Sequence, residues 1–253
     1  MRRVYALLAD NTNLECPARV STHMLKNVDS EADVVVLTPF DIHIVVPLAI
    51  VKRVHYASFK GSGHYRNTFM KLRAMELFEY DRAVMIDLDV VVWSSPKHLF
   101  FLPIPNHTVA APRAYWLPQP FMSSGGPVVF TPSRMLAKRA FHALDGKYRR
   151  YFPGEMDWFN EEFARDVVYL SGIYSLLNGE FVPNDGIFRY WGRKMHASSS
   201  DVLERSTFIH CIAGWKPWVK HPYVNTTEMK LIYSAWYRTQ TNVCRKNPKR
   251  LFG

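Results

Sequence analysis

The stretch Ala83–Trp93, AVMIDLDVVVW, decides the fold prediction because it sets two aspartates inside an apolar run. Four apolar residues lead into Asp87-Leu88-Asp89, and the apolar run resumes at Val90. Such a run predicts a strand buried within a sheet. In an extended chain, residues i and i+2 face the same side, about 6–7 Å apart along the strand. Unpaired carboxylates are costly to desolvate there, so the pattern favours a hard divalent cation beside them.

The segments around this stretch predict an α/β fold. RRVYALLA and ADVVVLTP are typical of buried strands, and CPARVSTHMLKNV between them is typical of a helix. From Thr68, apolar residues recur at helical spacing: Phe69, Leu72, Met75 and Phe78. This alternation predicts a mostly parallel, mixed central sheet flanked by helices, with ligands bound beyond the carboxyl ends of its strands.

The second half of the chain is less regular but continues the pattern. HTVAAPR, GGPVVFTPS and STFIHCIAG predict strands, whereas RMLAKRAFHAL and EMDWFNEEFARDV predict helices. Several aromatics fall in predicted loops, where they either close over a sugar-like ligand or fill an irregular core: Tyr115, Trp116, Trp191, Trp215 and Trp218. No linker is evident, so we expect a single domain over residues 1–253.

Composition and charge narrow the function classes. The net charge of +10 favours anionic partners, and the basic end CRKNPKRLFG suggests weak contact with an anionic membrane surface. The three cysteines are far apart and form no CxxC pair, which argues against a disulfide framework or a structural zinc site. No run approaches the roughly 20 apolar residues of a membrane span, and no signal peptide precedes the first strand. We therefore expect a cytoplasmic location if the N-terminus is native.

The Asp-x-Asp pair alone has little specificity, since chance gives about 0.6 such pairs in a chain with 12 aspartates. Two enzyme classes place such a pair after a buried strand. Haloacid-dehalogenase-like phosphatases also need a later acidic pair for Mg²⁺, and ARDVVYL offers only Asp166. Metal-dependent glycosyltransferases are the other class. A basic nucleic-acid-binding domain is a third alternative, but the basic residues are scattered and we expect no nucleic-acid partner.

Four blocks in order make the chain resemble the glycogenin-like, family 8 glycosyltransferases. These are FMKLRAMELFEYDRAVMIDLDVVVWSSPKHLF, MSSGGPVVFTPS, GEMDWFN and IHCIAGWKPW. The resemblance implies one GT-A (Rossmann-like) domain. Residues 1–105 would bind nucleotide and metal, residues 106–220 would form the acceptor half, and residues 221–253 would be a basic C-terminal segment.

The resemblance also implies the site residues. Asp87, Asp89 and His210 match the metal ligands. The donor-binding residues would lie in the first strand, the helix before the metal strand, the metal turn and the GWKPW block: Leu8, Ala9, Asp10, Lys71, Leu88, Gly214 and Lys216. Ser123 stands where the family has asparagine. The acidic group beside the anomeric carbon is either Glu155 or Asp157, with Asp157 preferred.

The implied reaction is transfer of a hexose or related sugar from a UDP-sugar to a hydroxyl acceptor such as a glycan, with retention of configuration. The implied cofactor is Mn²⁺, with Mg²⁺ as the alternative. The departures from the family pattern include the lack of an evident uracil-stacking aromatic after Asp10. We leave a homodimer open.

Overall fold

The computed structural model describes residues 1–57, 67–144, 154–183, 185–219 and 226–244. Within them, ten strands follow one another along the chain: β1 Arg3–Leu8, β2 Asp33–Pro39, β3 Ile50–Val54, β4 Arg82–Met85, β5 Val90–Val92, β6 Val109–Pro112, β7 Val128–Phe130, β8 Val167–Leu170, β9 Leu176–Leu177 and β10 Phe208–His210. The α-helices are α1 Glu15–Val28, α2 Arg134–Leu144, α3 Glu155–Glu162, α4 Tyr190–Met195, α5 Ser199–Glu204 and α6 Thr227–Val243. Short 3-10 helices, the longest at Thr68–Glu76, connect several of these elements.

Seven strands form the central sheet in the order β3-β2-β1-β4-β7-β6-β8. All of its strand pairs are parallel except those of β7, which runs antiparallel to both β4 and β6. The remaining strands form a small second sheet in the order β5-β10-β9. The predicted α/β class, with a mostly parallel mixed sheet flanked by helices, is confirmed.

The central strands are buried on both faces, as their apolar sequences predict. In β1, Tyr5 and Leu7 join the core shared with α1, α6 and the small sheet, whereas Val4 and Ala6 face the 3-10 helix Thr68–Glu76, α2 and α3. Strands β2 and β4 alternate in the same way. Because both faces of these central strands are buried, their sequences are continuously apolar and polar residues appear only where the strands end.

The stretch Ala83–Trp93 is not the single strand that its apolar character predicts. Strand β4 ends at Met85 in the central sheet, a turn holds Leu88 and Asp89, and β5 begins at Val90 in the small sheet. The carboxylates therefore lie in the connection between two sheets rather than on one face of a strand. An apolar sequence cannot reveal this change of sheet, because the residues on either side of the turn are buried equally well.

Two predicted helices differ in detail. The helix at Thr68 is a 3-10 helix, and the spacing of three between Phe69, Leu72 and Met75 matches its 3.0 residues per turn. Because this helix ends at Glu76, Phe78 is 51% exposed rather than part of the buried face. Helix α3 ends at Glu162, whereas the predicted helix EMDWFNEEFARDV extends to Val167, which is the first residue of β8.

The prediction from cysteine spacing, that the chain has no disulfide framework, is wrong. Cys16, in the first turn of α1, forms a disulfide with Cys244, the residue after α6, across 228 positions of sequence. The partners are close because α6 packs on α1 and buries Met229, Ile232, Tyr233 and Trp236. The sequence pattern of residues 227–243 predicted no particular element, and the predicted membrane-contacting residues 245–253 lie outside the described residues.

Among the described residues, no helix combines the length and apolar character that crossing a bilayer requires.

Candidate active site and metal centre

A cavity of about 820 Å³ opens where the central sheet meets the small sheet. Parallel strands β1 and β4 both end at this edge, with Leu8 and Asp10 following one and Asp87 the other. Because β7 runs antiparallel to β4, the segment just before it, Ser123–Gly125, reaches the same edge. The cavity thus lies where ligands of open parallel sheets bind, and its volume suits a small-molecule ligand.

Three predicted metal ligands converge in this cavity. Asp87, Asp89 and His210 each offer a ligand atom, and these atoms all lie within 4.8 Å of one another. The amide of Asp87 donates to the carbonyl of Gly125, which fixes the turn after β4. Antiparallel pairing of β10 with β5, together with a 2.9 Å bond from the Cys211 amide to the Asp89 carbonyl, places His210 beside Asp89.

Gly125 makes room for the His210 ring. A Cβ on this residue would lie 2.8 Å from Nδ1 of His210 and closer still to Cε1. Real Cβ atoms do not approach other atoms so closely, so any side chain at this position would displace the ring. Gly125 is thus a positioning residue, which the sequence pattern alone did not single out.

The residues present fit a divalent cation. Nδ1 of His210 is buried and has no hydrogen-bond partner among the described residues, and buried Oδ1 of Asp89 lies 3.3 Å from Nε2 of the same ring without a well-formed hydrogen bond. Two carboxylates and one imidazole form an oxygen-rich donor set that suits Mn²⁺ or Mg²⁺. The site therefore offers ligand atoms that the protein itself leaves incompletely satisfied.

Lysines flank both carboxylates. Nζ of Lys71, a buried residue of the 3-10 helix Thr68–Glu76, lies 2.6 Å from Asp87 and 2.6 Å from Glu155. Burial alone would lower the pKa of Lys71, but the two carboxylates raise it above its ordinary value. The sequence predicted Lys71 as a donor-binding residue, and the structure buries its charge between two acids.

Lys216 forms an ion pair with Oδ2 of Asp89. Burial would raise the pKa of Asp89, but the His210 ring 3.3 Å away and the Lys216 ammonium hold it below its ordinary value. The pKa of Asp87 is instead raised above its ordinary value, because burial raises it more than the Lys71 ammonium lowers it. The two aspartates of the pair therefore occupy electrostatically different positions.

Glu155 and Asp157 occupy different environments at the start of α3. The Glu155 side chain is only 6% exposed, and its Oε1 accepts from Lys71 and, at 3.1 Å, from the hydroxyl of Ser124. Burial would raise the pKa of Glu155, but the Lys71 ammonium, together with hydrogen bonds from the Thr68 hydroxyl and the backbone, holds it below its ordinary value. Asp157 is exposed, and its carboxylate accepts the Gly154 amide at 3.1 Å, which caps the helix. Both residues line the cavity, as does buried Ser123.

The remaining predicted donor-binding residues divide into two groups. Leu8, Asp10 and Leu88 line the cavity, whereas buried Ala9 and exposed Gly214 are absent from its described lining. The Asp10 carboxylate accepts from the side-chain amides of Asn11 and Asn67, both at 2.8 Å.

The loop aromatics also divide. Trp116 and Trp218 line the cavity. Tyr115 and Trp191 are buried, and the Tyr115 hydroxyl accepts the Leu177 amide at 3.0 Å, so these two belong to the core. Trp215 is half-buried, and its carbonyl accepts the hydroxyl of Tyr233.

Sequence reasoning missed several cavity residues: Asn11, Leu14, Asn67, Thr68, Ser124, Gly125, Met156, Leu177 and Ile212. Ser124, Gly125, Met156 and Ile212 lie inside quoted blocks, so adjacency to a motif was an available signal. The others come from elements whose proximity only the fold establishes.

No protein-family model matches the chain. Over 86% of its length it is 30% identical to a protein of Aspergillus fumigatus named glucose N-acetyltransferase 1, of which it covers 65%. Over 69% of its length it is 20% identical to galactinol synthase 6 of Arabidopsis thaliana, of which it covers 57%. The chain thus spans less than two thirds of the length of these curated relatives.

Solved structures share the fold. The chain superposes on the galactosyltransferase LgtC in complex with donor and acceptor sugar analogs, with a TM-score of 0.67 and 14% identity, covering 97% of this chain and 98% of that one. The apo bifunctional glycosyltransferase WbbM gives a TM-score of 0.65 and 18% identity, covering 96% of this chain and 50% of that one. At these identities the likeness establishes the fold, and it agrees with the predicted GT-A architecture.

Proposed function

The chain is a relative of the family 8 glycosyltransferases and has their GT-A fold, and on this premise we propose that it is a metal-dependent glycosyltransferase. It moves a hexose or related sugar from a UDP-sugar to a hydroxyl of a glycan or similar acceptor, with retention of configuration. The whole protein's substrates belong to this proposal, because the chain covers only part of its curated relatives.

One observation carries the proposal. Asp87, Asp89 and His210 converge with Lys216 at the carboxyl edge of the sheet, inside a cavity of about 820 Å³. Carboxylate and imidazole ligands beside an ammonium group suit a cation and a diphosphate that share one site. A bound Mn²⁺, or Mg²⁺ in its place, would neutralise the negative charge that develops on the departing nucleoside diphosphate.

The lysines have defined roles in this scheme. Lys216 offers its ammonium to the diphosphate, and to reach it must release Asp89, with which it pairs in the structure. Lys71 holds Asp87 and Glu155 in fixed positions through its two contacts of 2.6 Å. A charge held in place beforehand needs no reorganisation during the reaction, which is the basis of electrostatic catalysis.

Three residues are proposed to act at the anomeric carbon: Glu155, Asp157 and Ser123. The surroundings of Glu155 favour it, because a buried, ionised carboxylate can stabilise positive charge on an oxocarbenium-like sugar without competition from water. Asp157 already caps α3 and is exposed, so its proposed role is to contact substrate at the cavity wall. Ser123 is buried and would orient the sugar by hydrogen bonding.

The donor and acceptor parts of the proposal rest on the cavity walls. Leu8 and Asp10 line the side that follows β1, where the nucleoside would bind. Trp116 and Trp218 line the cavity as well, and aromatic faces of this kind suit a sugar ring. Ala9 and Gly214 keep their proposed donor-binding roles through their backbones, since a glycine allows close backbone approach.

The test is a transfer assay with a panel of UDP-sugars, glycan acceptors and Mn²⁺ or Mg²⁺. We expect sugar transfer that requires the cation and is abolished in Asp89→Asn, with circular dichroism showing that the variant remains folded. Anomeric analysis of the product by NMR should show retention. Full activity of Asp89→Asn, or sugar transfer in the presence of a metal chelator, would contradict the proposed metal-dependent glycosyltransferase activity.

The assay must also separate other chemistries. The name of the fungal relative describes acetyl transfer to glucose, so an acetyl-donor arm with glucose belongs in the same panel. Phosphate release from phosphorylated sugars would favour the phosphatase alternative, and salt-sensitive binding to oligonucleotides would favour the nucleic-acid alternative. Activity in any of these arms without sugar transfer would contradict the proposal.

A further inference from the structure

We propose that this protein matures in an oxidising compartment, where Asn106 becomes an N-linked glycosylation site. The sequon Asn106-His107-Thr108 contains no proline at its middle position. Asn106 is exposed in the turn between the 3-10 helix Lys97–Phe101 and β6. The folded surface therefore accommodates a bulky glycan on the side-chain amide without repacking.

The topology places Asn106 away from the cavity. Strand β6 is antiparallel to β7, and β7 is antiparallel to β4, so β6 runs in the same direction as β4. The carboxyl end of β4 leads to the cavity, whereas Asn106 precedes the amino end of β6. A hydrogen bond from Arg82, the first residue of β4, to the carbonyl of Leu102 marks that opposite edge. A glycan on Asn106 would leave substrate access open.

A second, independent observation is the disulfide between Cys16 and Cys244. Disulfides persist in oxidising compartments and are rare where thiol buffers keep cysteines reduced. Cys211 remains a thiol, and it is fully buried, which keeps it inaccessible to oxidants and alkylating reagents in the folded protein. This inference departs from the cytoplasmic expectation drawn from the sequence, and it does not depend on the proposed transferase activity.

Both modifications have balanced chemistry in such a compartment. The two thiols lose two protons and two electrons to a disulfide-bearing oxidoreductase, which is reduced to its dithiol as the Cys16–Cys244 bond forms. The Asn106 amide nitrogen loses a proton and bonds to the anomeric carbon of a lipid-diphosphate-linked oligosaccharide. The bond from that carbon to the diphosphate oxygen breaks, and the lipid diphosphate leaves.

The structure also fixes the order of events. Thr108, whose hydroxyl the sequon requires, is only 5% exposed in the folded protein. Its amide donates to the carbonyl of Pro105, and β6 follows directly at Val109. The glycosylating enzyme can therefore reach the sequon only before β6 packs, so the glycan is added to the nascent chain and not to the folded protein.

The experiment is peptide mapping of the protein produced in a eukaryotic cell from its own encoded N-terminus, without an added secretion signal. We expect most molecules to carry a peptide-N-glycosidase-sensitive glycan on Asn106. Non-reducing digestion should yield a Cys16–Cys244 cross-linked peptide, with Cys211 alkylated only after denaturation. Asn106→Gln and Thr108→Ala should remove the glycan, whereas Thr108→Ser should retain it.

The controls keep the outcome decisive. Asn106→Gln changes an exposed side chain, so its melting temperature should match that of the deglycosylated wild type. Asn225→Gln tests the other sequon, Asn225-Thr226-Thr227. An unmodified Asn106, a glycan at Asn225 alone, or three alkylatable cysteines overturns the proposal. If the chain is retained in the cell, the same map is made on the retained protein with the same criteria.

Discussion

Gly125 shows how a single residue without a side chain positions the proposed metal ligands. Its missing Cβ leaves room for the His210 ring, and its carbonyl accepts the Asp87 amide at 3.3 Å. Two of the three proposed metal ligands therefore depend on this glycine. Changes in the support of metal ligands typically lower metal affinity or activity by 10–100-fold.

For Gly125→Ala we expect a loss of Mn²⁺ affinity of roughly 10–100-fold, because the added methyl displaces His210 from Asp89. Calorimetric titration with Mn²⁺ in the presence of UDP measures this loss. Gly186→Ala is the matched control, since a Cβ at Gly186 meets no atom within 4 Å. Equal affinity in the two variants would show that His210 is not held by this glycine.

Replacing Lys216 should change the affinity for Mn²⁺ alone and the affinity for UDP with Mn²⁺ in opposite directions. Removing its ammonium leaves Asp89 without its cationic partner, so Lys216→Met should bind Mn²⁺ alone more tightly, by on the order of tenfold. The same variant should bind UDP with Mn²⁺ more weakly, because the diphosphate loses a positive group. Calorimetry with each ligand alone and with both together measures the two effects.

A matched control for this prediction is Lys52→Met, which breaks a surface pair with Glu79 and lies outside the cavity. It should change neither affinity. If Lys216→Met weakened the binding of Mn²⁺ alone, the lysine would not be acting as a counter-charge to the metal ligand.

Glu155 is buried and Asp157 is exposed, so we expect their neutral variants to affect different quantities, namely kcat and stability. We expect Glu155→Gln to lower kcat by on the order of 100-fold, because the carboxylate that is proposed to act at the anomeric carbon is lost. Asp157→Asn should cost about 1 kcal/mol of stability through the weakened α3 cap. Kinetics on folded protein, with urea unfolding of each variant, measure both quantities. A larger loss of kcat in Asp157→Asn would instead assign the catalytic role to Asp157.

Among the helices and strands, α6 is the element that the sequence pattern did not predict. It packs on α1 through buried Met229, Ile232, Tyr233 and Trp236, and the Cys16–Cys244 disulfide closes its far end. The cross-link encloses almost the whole chain, since its cysteines are 228 positions apart. In the chain-entropy model, a loop of this length corresponds to about 5 kcal/mol of stabilisation.

We therefore expect reductant to lower the melting temperature of the wild-type protein by about 10–20 °C, because the unfolded chain regains entropy. Differential scanning calorimetry with and without dithiothreitol measures the shift. The double variant Cys16→Ser, Cys244→Ser should melt at the lower temperature under both conditions. A wild-type protein indifferent to reductant would show that the disulfide does not stabilise the native state.

At the scale of the whole molecule, the site joins two sheets. Asp87 follows a strand of the central sheet, whereas His210 ends a strand of the small sheet, and Lys216 comes from the segment beyond it. A ligand that bridges these groups should therefore stabilise the molecule as one unit. At 100 times its dissociation constant, a ligand adds about 2.7 kcal/mol.

We expect UDP with Mn²⁺ to raise the melting temperature in a single cooperative transition, and Asp89→Asn to abolish the shift. Thermal denaturation followed by circular dichroism and by tryptophan fluorescence tests this expectation. Transitions that separate between the two probes would show that the sheets unfold independently and that the site does not couple them.

The sequence by itself determined the α/β class and the central strands, and it singled out Asp87, Asp89 and His210, which we propose as metal ligands. Apolar runs long enough to be buried on both faces identify β1, β2 and β4, and Asp87, Asp89 and His210 lie inside motifs whose order along the chain is informative. These features are local, because burial pattern and motif spacing are read within short segments.

Only the tertiary structure decided the rest. The turn that moves the chain from β4 to β5, the pairing of Lys71 with Asp87 and Glu155, and the Cys16–Cys244 bond all join residues through packing. Lys71 and Glu155 are 84 positions apart, and the two cysteines are 228 apart. Such contacts depend on which faces of distant elements meet, and no local pattern in the sequence encodes that meeting.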